Sequence, residues 1–198
     1  EIRKNETETV SNYSIAFSPN QKTLAAGRSD NSVKLFDVAS GNELITLQGH
    51  SDTVGAVTFN PDGKILVSGG YDGKIIYWDV AAGTEIKSIQ AAKNRISSIA
   101  FSPDGKMLAT GITVDYEIYY SRFTKGNYEI DEKTVKLWDV KTDQELKTLA
   151  AHNRLVKMVF FSPDGKVLAS AGMGRTSDDK LNDKLINFWD VQTGSKIS

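Results

Sequence analysis

The chain has 198 residues, 39% hydrophobic and 25% charged, with 16 Gly, 4 Pro and no Cys, the profile of a globular domain rather than a fibrous or low-complexity one. Lys and Arg number 24 against 25 Asp and Glu, a net charge of -1, so no global field draws it to nucleic acid or to an anionic membrane. Without Cys there is no disulfide framework, thiol nucleophile, Cys-based zinc site or iron–sulfur cluster, which fits a reducing compartment, and a cytoplasmic location is expected.

The first mark along the chain is Phe17-Ser-Pro-Asn-Gln21, and it returns as Phe59-Asn-Pro-Asp-Gly63, Phe101-Ser-Pro-Asp-Gly105 and Phe161-Ser-Pro-Asp-Gly165. The second, an aromatic followed by Asp-Val, falls at Phe36, Trp78, Trp138 and Trp189. From each of the first three of these aromatics to the next Pro is 25 residues; from Pro to the following aromatic is 17, 17, 35 and 26. The repeating unit is therefore 42 residues, and the third and fourth units carry 18 and 9 extra residues in the same half. The array is one domain over residues 1–198, with units at about 1–42, 43–84, 85–144 and 145–198.

The second unit shows the expected elements most plainly. Residues 54–59 are apolar and β-rich, and Pro61-Asp62-Gly63 then supplies a fixed φ, an Asx-type acceptor and a position tolerant of positive φ, hence a tight reversal. Strands follow at 65–67, at 74–78 after the turn Tyr71-Asp72-Gly73, and at 85–89 after the Ala82-Gly83 break. We label these four a, b, c and d; no segment has sustained helical periodicity. In the third unit the insertion 112–131 holds Tyr116, Tyr119, Tyr120, Phe123 and Tyr128, and its β-rich halves flank a turn signal at 123–127. This predicts that strands b and c run on as a protruding hairpin with its tip between Arg122 and Asn127, near Lys125. The fourth unit's insertion, 173–180, is short, glycine-bearing and charged, and includes Arg175.

Four short strands per 42 residues, the third ending in Trp-Asp, resemble the WD-repeat β-propeller family. The resemblance implies an all-β β-propeller of four-stranded antiparallel blades, here four WD-type units of a larger ring. It also implies a hydrogen-bonded set within a blade: a His before strand a, a Ser or Thr in b, an Asp in the b–c turn and the strand c Trp. The second unit supplies His50, Ser68, Asp72 and Trp78, and the fourth His152, Ser170, Asp183 and Trp189. The third keeps Thr110 and Trp138 but has Ala92 and Glu132 in the other places, and the first has Glu8, Ala26, Asp30 and Phe36. Ser, His and Asp are also the residue types of a catalytic triad, yet their recurrence at fixed blade positions beside a Trp donor reads as a structural network. Neither a catalytic residue, nor a metal site, nor a cofactor is expected: the two His lie 102 residues apart, and the glycine runs at 69–73 and 172–174 precede no helix that would hold a phosphate.

In a propeller the b–c and d–a loops share a rim, so both insertions should rise side by side. That rim, with Arg95 and Arg154 from the d–a loops, is the expected partner-binding surface, since Tyr and Arg anchor many interfaces. The family resemblance implies a non-catalytic scaffold for a peptide or protein, with no nucleic acid and no membrane among its partners. A propeller enzyme or ligand-binding module using the central channel and a self-associating architectural module are the alternatives. Four blades turned by roughly 51° each cover little more than half a circle. The expectations are a fragment of a longer chain, a homodimer completing a ring of about eight blades, or four blades closing on themselves.

Overall fold

A computed structural model describes residues 10–113, 134–150, 152, 155–173 and 186–197, and every regular element among them is a β-strand. The first sheet is β1 (Asn12–Phe17), β2 (Thr23–Arg28), β3 (Ser32–Asp37) and β4 (Glu43–Gln48), and the second is β5 (Val54–Phe59), β6 (Ile65–Gly70), β7 (Lys74–Asp79) and β8 (Thr84–Gln90), each an antiparallel meander in chain order. The third comprises β9 (Arg95–Phe101), β10 (Met107–Thr113), β11 (Thr134–Asp139) and β12 (Glu145–Ala150). The fourth is β13 (Leu155–Phe161), β14 (Val167–Met173) and β15 (Ile186–Asp190), extended by a single bridge from Trp189 to Lys196. The pairing of Thr113 with Leu155 joins the third and fourth sheets into one seven-stranded sheet. Strand b of the second unit runs three residues further than its apolar run of 65–67 suggested. The sheets are also out of phase with the 42-residue units, because each fourth strand comes from residues that open the next unit.

Both sequence marks build turns. In the pentapeptides the fifth residue is left-handed, with φ near 70° at Gly63, Gly105 and Gly165, and its N–H closes the reversal onto Asn60, Ser102 or Ser162. Gln21 adopts the same conformation at φ 60° without the glycine's freedom, and its N–H bonds to the Ser18 carbonyl in the same way. The Asp after each aromatic caps the c–d turn: Asp79 accepts from the N–H groups of Ala81 and Ala82, Asp139 from those of Lys141 and Thr142, and Asp190 from that of Thr193.

The sheets pack face to face with their first strands innermost and adjacent in the order β1, β5, β9, β13. Each of the three junctions is an apolar cluster made from the rear of one sheet and the front of the next; Ala25, Val33, Leu35 and Leu47, for example, meet Val57, Phe59, Leu66 and Trp78. The rear faces are small on the inside. Ser14 and Ala16 lie on β1, Ala56 and Thr58 on β5, and Ser98 and Ala100 on β9, opposite the large front residues. On each neighbouring strand a glycine takes the next sheet directly against its backbone. A Cβ at Gly27 would come within 2.8 Å of Val54, at Gly69 within 2.5 Å of Ile96, and at Gly111 within 2.8 Å of Val156. Two junctions add a hydrogen bond, from the Val57 N–H to Ser14 Oγ and from the Val159 N–H to Ser98 Oγ.

Because Ile96 is fully buried and has no room to move, Gly69→Ala is expected to destabilise the fold by about 1–3 kcal/mol through overpacking. Chemical denaturation of this variant checks it; an unchanged midpoint would show that the sheets can separate freely.

Candidate functional site

Two constellations stand out: a polar chain buried within a sheet, and a group of rim residues drawn from three sheets. In the second sheet the Trp78 indole N–H donates to Ser68 Oγ at 2.8 Å, Ser68 Oγ lies 2.8 Å from His50 Nε2, and His50 Nδ1 is 3.1 Å from both oxygens of Asp72. The ends of this chain fix its protons. An indole N–H can only donate and an ionised carboxylate can only accept, so His50 Nδ1–H donates to Asp72, and with the imidazole neutral the Ser68 hydroxyl donates to His50 Nε2. Asp72 also accepts from the backbone N–H groups of Ser51 and Lys74. Burial alone would raise its pKa, but the His50 hydrogen bond and these two amides outweigh that and hold it at about 2.

The fourth sheet repeats part of the arrangement. The Trp189 N–H donates to Ser170 Oγ at 3.0 Å, and His152 Nε2 lies 3.0 Å from the same oxygen; Asp183 falls outside the described residues. Burial lowers the pKa of His152. In the third sheet only the inner link is present, Trp138 N–H to Thr110 Oγ1 at 3.0 Å. In the first sheet, Arg28 Nε approaches Asp30 at 3.4 Å.

The glycine runs find their use here. A Cβ at Gly70 would collide with His50 and Asp72, and one at Gly172 would stand 2.6 Å from the His152 ring. Each imidazole therefore lies over a bare backbone. The third sheet, with Ala92 in the histidine's place, has Ile112 in the glycine's place, and Ile112 is fully buried. A buried branched side chain thus stands on the strand where the second and fourth sheets have a glycine under an imidazole. Sequence reasoning missed this exchange, although the partners stand 20 residues apart in all three units, at 50 and 70, 92 and 112, and 152 and 172.

The strand registers place every b–c and d–a connection on one rim: Asn12 opposes Arg28, Ser32 opposes Gln48, Thr113 opposes Arg95 and Ala171 opposes Ile186. The two long connections leave and rejoin there from adjoining sheets. Tyr116, Tyr119, Tyr120, Arg122, Phe123, Lys125 and Tyr128, like Arg154 and Arg175, lie outside the described residues. Arg95 is described, and its guanidinium carbon sits 4.5 Å from the centre of the Tyr71 ring. Tyr13 meets that ring edge-on at 5.8 Å. Gly55 provides the space, since a Cβ there would stand 2.6 Å from Tyr71. Arg95 and the b–c turn that holds Tyr71 were expected on this rim, but the grouping with Tyr13 was not: Tyr13 and Tyr71 each occur once in their column of the repeat, so no periodic signal marked them. The inner strands also enclose an open cavity of about 450 Å³, bordered by Ile15, Phe17, Phe59, Phe101 and Phe160 with Pro19, Pro61 and Pro103. No ionisable side chain lines it among the described residues.

Antiparallel four-stranded sheets, stacked rear to front around adjacent first strands, define a β-propeller. The family model described as WD domain, G-beta repeat matches residues 41–79, 83–119 and 143–190, and that of the anaphase-promoting complex subunit 4 WD40 domain matches residues 2–58. The chain belongs to the WD-repeat family. Over 42 residues it is 52% identical to a probable serine/threonine-protein kinase PkwA of Thermomonospora curvata, covering 21% of this chain and 6% of that protein. Over 66 residues it is 39% identical to nuclear distribution protein PAC1-1 of Uncinocarpus reesii, covering 33% and 13%. Over 69 residues it is 36% identical to an Arabidopsis thaliana Notchless protein homolog, covering 34% and 13%. The chain thus spans a small part of these relatives. Among solved structures, a chain of the mitotic checkpoint complex superposes with a TM-score of 0.76 at 27% identity, over 96% of this chain and 52% of that one. A chain of Kuenenia stuttgartiensis hydrazine synthase, at TM-score 0.77 and 20% identity over 100% and 51%, shares the fold.

Ser68→Ala removes the shared hydroxyl and leaves the Trp78 N–H and His50 Nε2 without their partner, so a loss of about 2–3 kcal/mol is expected by chemical denaturation. Asp72 carries a depressed pKa in the folded state, so its contribution is full above the unfolded value near 4 and is lost as pH falls toward 2. Asp72→Asn should remove that part of the acid dependence; identical acid titrations of the two proteins would refute the assignment.

Proposed function

We propose that this chain is a non-catalytic, cytoplasmic scaffold that holds a peptide or protein partner on the rim where the two long b–c connections arise. The observation that carries the reading is the Tyr13, Tyr71 and Arg95 group. Three sheets contribute to it, and its Arg95 pairs with Thr113, the last described residue before the first long connection. Aromatic rings and a guanidinium held against one another offer apolar contact and directed hydrogen bonding with little conformational entropy to lose. Tyr116, Tyr119, Tyr120, Arg122, Phe123, Lys125 and Tyr128 in that connection, with Arg154 and Arg175, extend the surface.

Two further observations support a role without chemistry. The serine hydroxyls that imitate a nucleophile are fully buried and already hydrogen-bonded to indole and imidazole, which leaves no approach for a substrate. The channel cavity offers no acid or base among the described residues. Similarity to proteins named for nuclear distribution, and to a chain of a checkpoint complex, agrees with a part played in assemblies.

A photoreactive residue in place of Tyr13, which is 54% exposed, should cross-link a discrete partner from the cells that make the protein. Combined Tyr119→Ala, Tyr120→Ala and Phe123→Ala substitutions should abolish that adduct and leave the melting temperature unchanged. Undiminished cross-linking in the triple variant would remove the connection from the binding surface.

A further inference from the structure

On the rim opposite Tyr13, Tyr71 and Arg95, the turns of the third and fourth sheets border an open groove of about 580 Å³. Met107 and Leu146 form its wall on the third sheet, Val191 its wall on the fourth, and Lys147, Lys166 and Asp190 bring its charges. Leu146 is 47% exposed although the fourth sheet is packed beside it. Ile86, its counterpart between the second and third sheets, is 51% exposed in the same way. Both walls are internal to the array, the rear of one sheet and the front of the next, so a further sheet at either end would leave the groove as it is.

Comparison of the three seams shows what sets this place apart. At the first, Ile45 lies against Gly83, where a Cβ would stand 3.0 Å from it. At the second, Lys87 takes the place of Ile45 and Asp143 that of Gly83, and the two form an ion pair at 2.6 Å. At the third, the counterparts are Lys147 and Gly194: the lysine is kept and the acid is gone. The Lys147 stem lies over the glycine, where a Cβ would stand 3.0 Å from its Cδ, and its ammonium donates to the Gln192 carbonyl. Among the described residues, neither Lys147 nor Lys166 has a carboxylate within ion-pair distance. Asp190, the one acid lining the groove among these residues, already accepts from the Thr193 N–H and hydroxyl. Asp164, beside Lys166, turns to the Ser162 hydroxyl and the Lys166 N–H. Two ammonium groups against one engaged carboxylate leave the groove positive over an apolar floor.

We propose that this groove holds a short peptide segment of a protein partner, one that carries a bulky apolar side chain next to an aspartate or glutamate. The apolar side chain rests on Met107, Leu146 and Val191, and the flexible thioether of Met107 adapts to its shape. The carboxylate enters between Lys147 and Lys166 and takes the part that Asp143 plays for Lys87. Charge and floor together select this occupant: a phosphate alone would leave the apolar wall uncovered, and a purely apolar peptide would leave both ammonium groups unanswered. A groove of this size encloses a side chain and its flanking backbone rather than a folded domain. The expected affinity is micromolar, since one apolar side chain and one half-solvated ion pair carry it. The site stands apart from the rim assigned above to a partner and does not rest on that reading.

Random peptides displayed on phage should yield binders to the 198-residue chain in which an acidic residue adjoins a large apolar one. Binding of a selected peptide, followed by fluorescence anisotropy, should weaken by about fivefold or more in Lys166→Glu, which reverses an exposed charge, and in Gly194→Asp. The second variant supplies the missing acid from within. Asp143 holds the same left-handed backbone, φ 60° against 76° at Gly194, so Gly194→Asp should melt no lower than the parent protein while pairing Lys147. Lys106→Glu, the equivalent change at the second seam, and Tyr13→Ala on the other rim should leave binding unchanged. Groove binders that lack an acid, a selection without binders, or binders all indifferent to Lys166→Glu and Gly194→Asp overturn the proposal. So does displacement of the peptide by inorganic phosphate beyond that by chloride of equal ionic strength, which makes this a simple anion site. A self-associating chain that Lys166→Glu disperses puts a second copy in the groove and overturns it as well. Failed cross-linking at Tyr13 with peptide binding intact would remove the rim surface and leave this one standing.

Discussion

The distance between neighbouring sheets is set by a side chain that is absent. Gly27, Gly69 and Gly111 lie where the first strand of the next sheet presses Val54, Ile96 or Val156 against the backbone, and small residues beside them let the inner strands converge. Large residues further out, such as Leu35 and Trp78 in the first junction, hold the outer strands apart. The result is a wedge at every junction. Wedges of one sense bring β1, β5 and β9 side by side, and this is why Tyr13, Tyr71 and Arg95, from three different sheets, can touch. The rim group is a consequence of the core.

Within each sheet a second level of order is polar. The Trp78, Ser68, His50 and Asp72 chain ties strand c to strand b and both to the segment before strand a, with each buried donor meeting an acceptor. Outside the apolar wedge, lysines close the seams: Lys87 Nζ reaches Asp143 and the Val140 carbonyl across the second junction, and Lys147 Nζ reaches the Gln192 carbonyl across the third. The first seam has Ile45 at the corresponding position and closes by apolar contact.

Much of this architecture was legible before any coordinates, because repetition converts one sequence into several readings of the same element. The 25-residue spacing between the marks, the Pro-Asp-Gly reversals and the aromatic-Asp dipeptides identify four-stranded units, since each turn demands particular backbone chemistry wherever it recurs. The ends of β6 and β8 were less clear, as strand limits depend on pairing partners rather than on composition. What repetition could not reveal is what occurs once. Tyr13 and Tyr71 have no counterparts in their columns, and their proximity depends on curvature between sheets. Gly70 was legible only as a glycine in a turn-rich stretch; the imidazole lying over it is a tertiary fact.

The pairing of Ala92 with Ile112, against His50 with Gly70 and His152 with Gly172, bears on the history of the array. If the units descend from one duplicated ancestor, two interlocked residues had to change in at least one of them. Exchanging the histidine first leaves a hollow beneath the strand, and exchanging the glycine first drives a branched side chain into an imidazole. Either intermediate is a worse protein than its endpoints, so each blade is held in the state it reached, and an array of near-identical parts preserves two mutually incompatible solutions to the same corner.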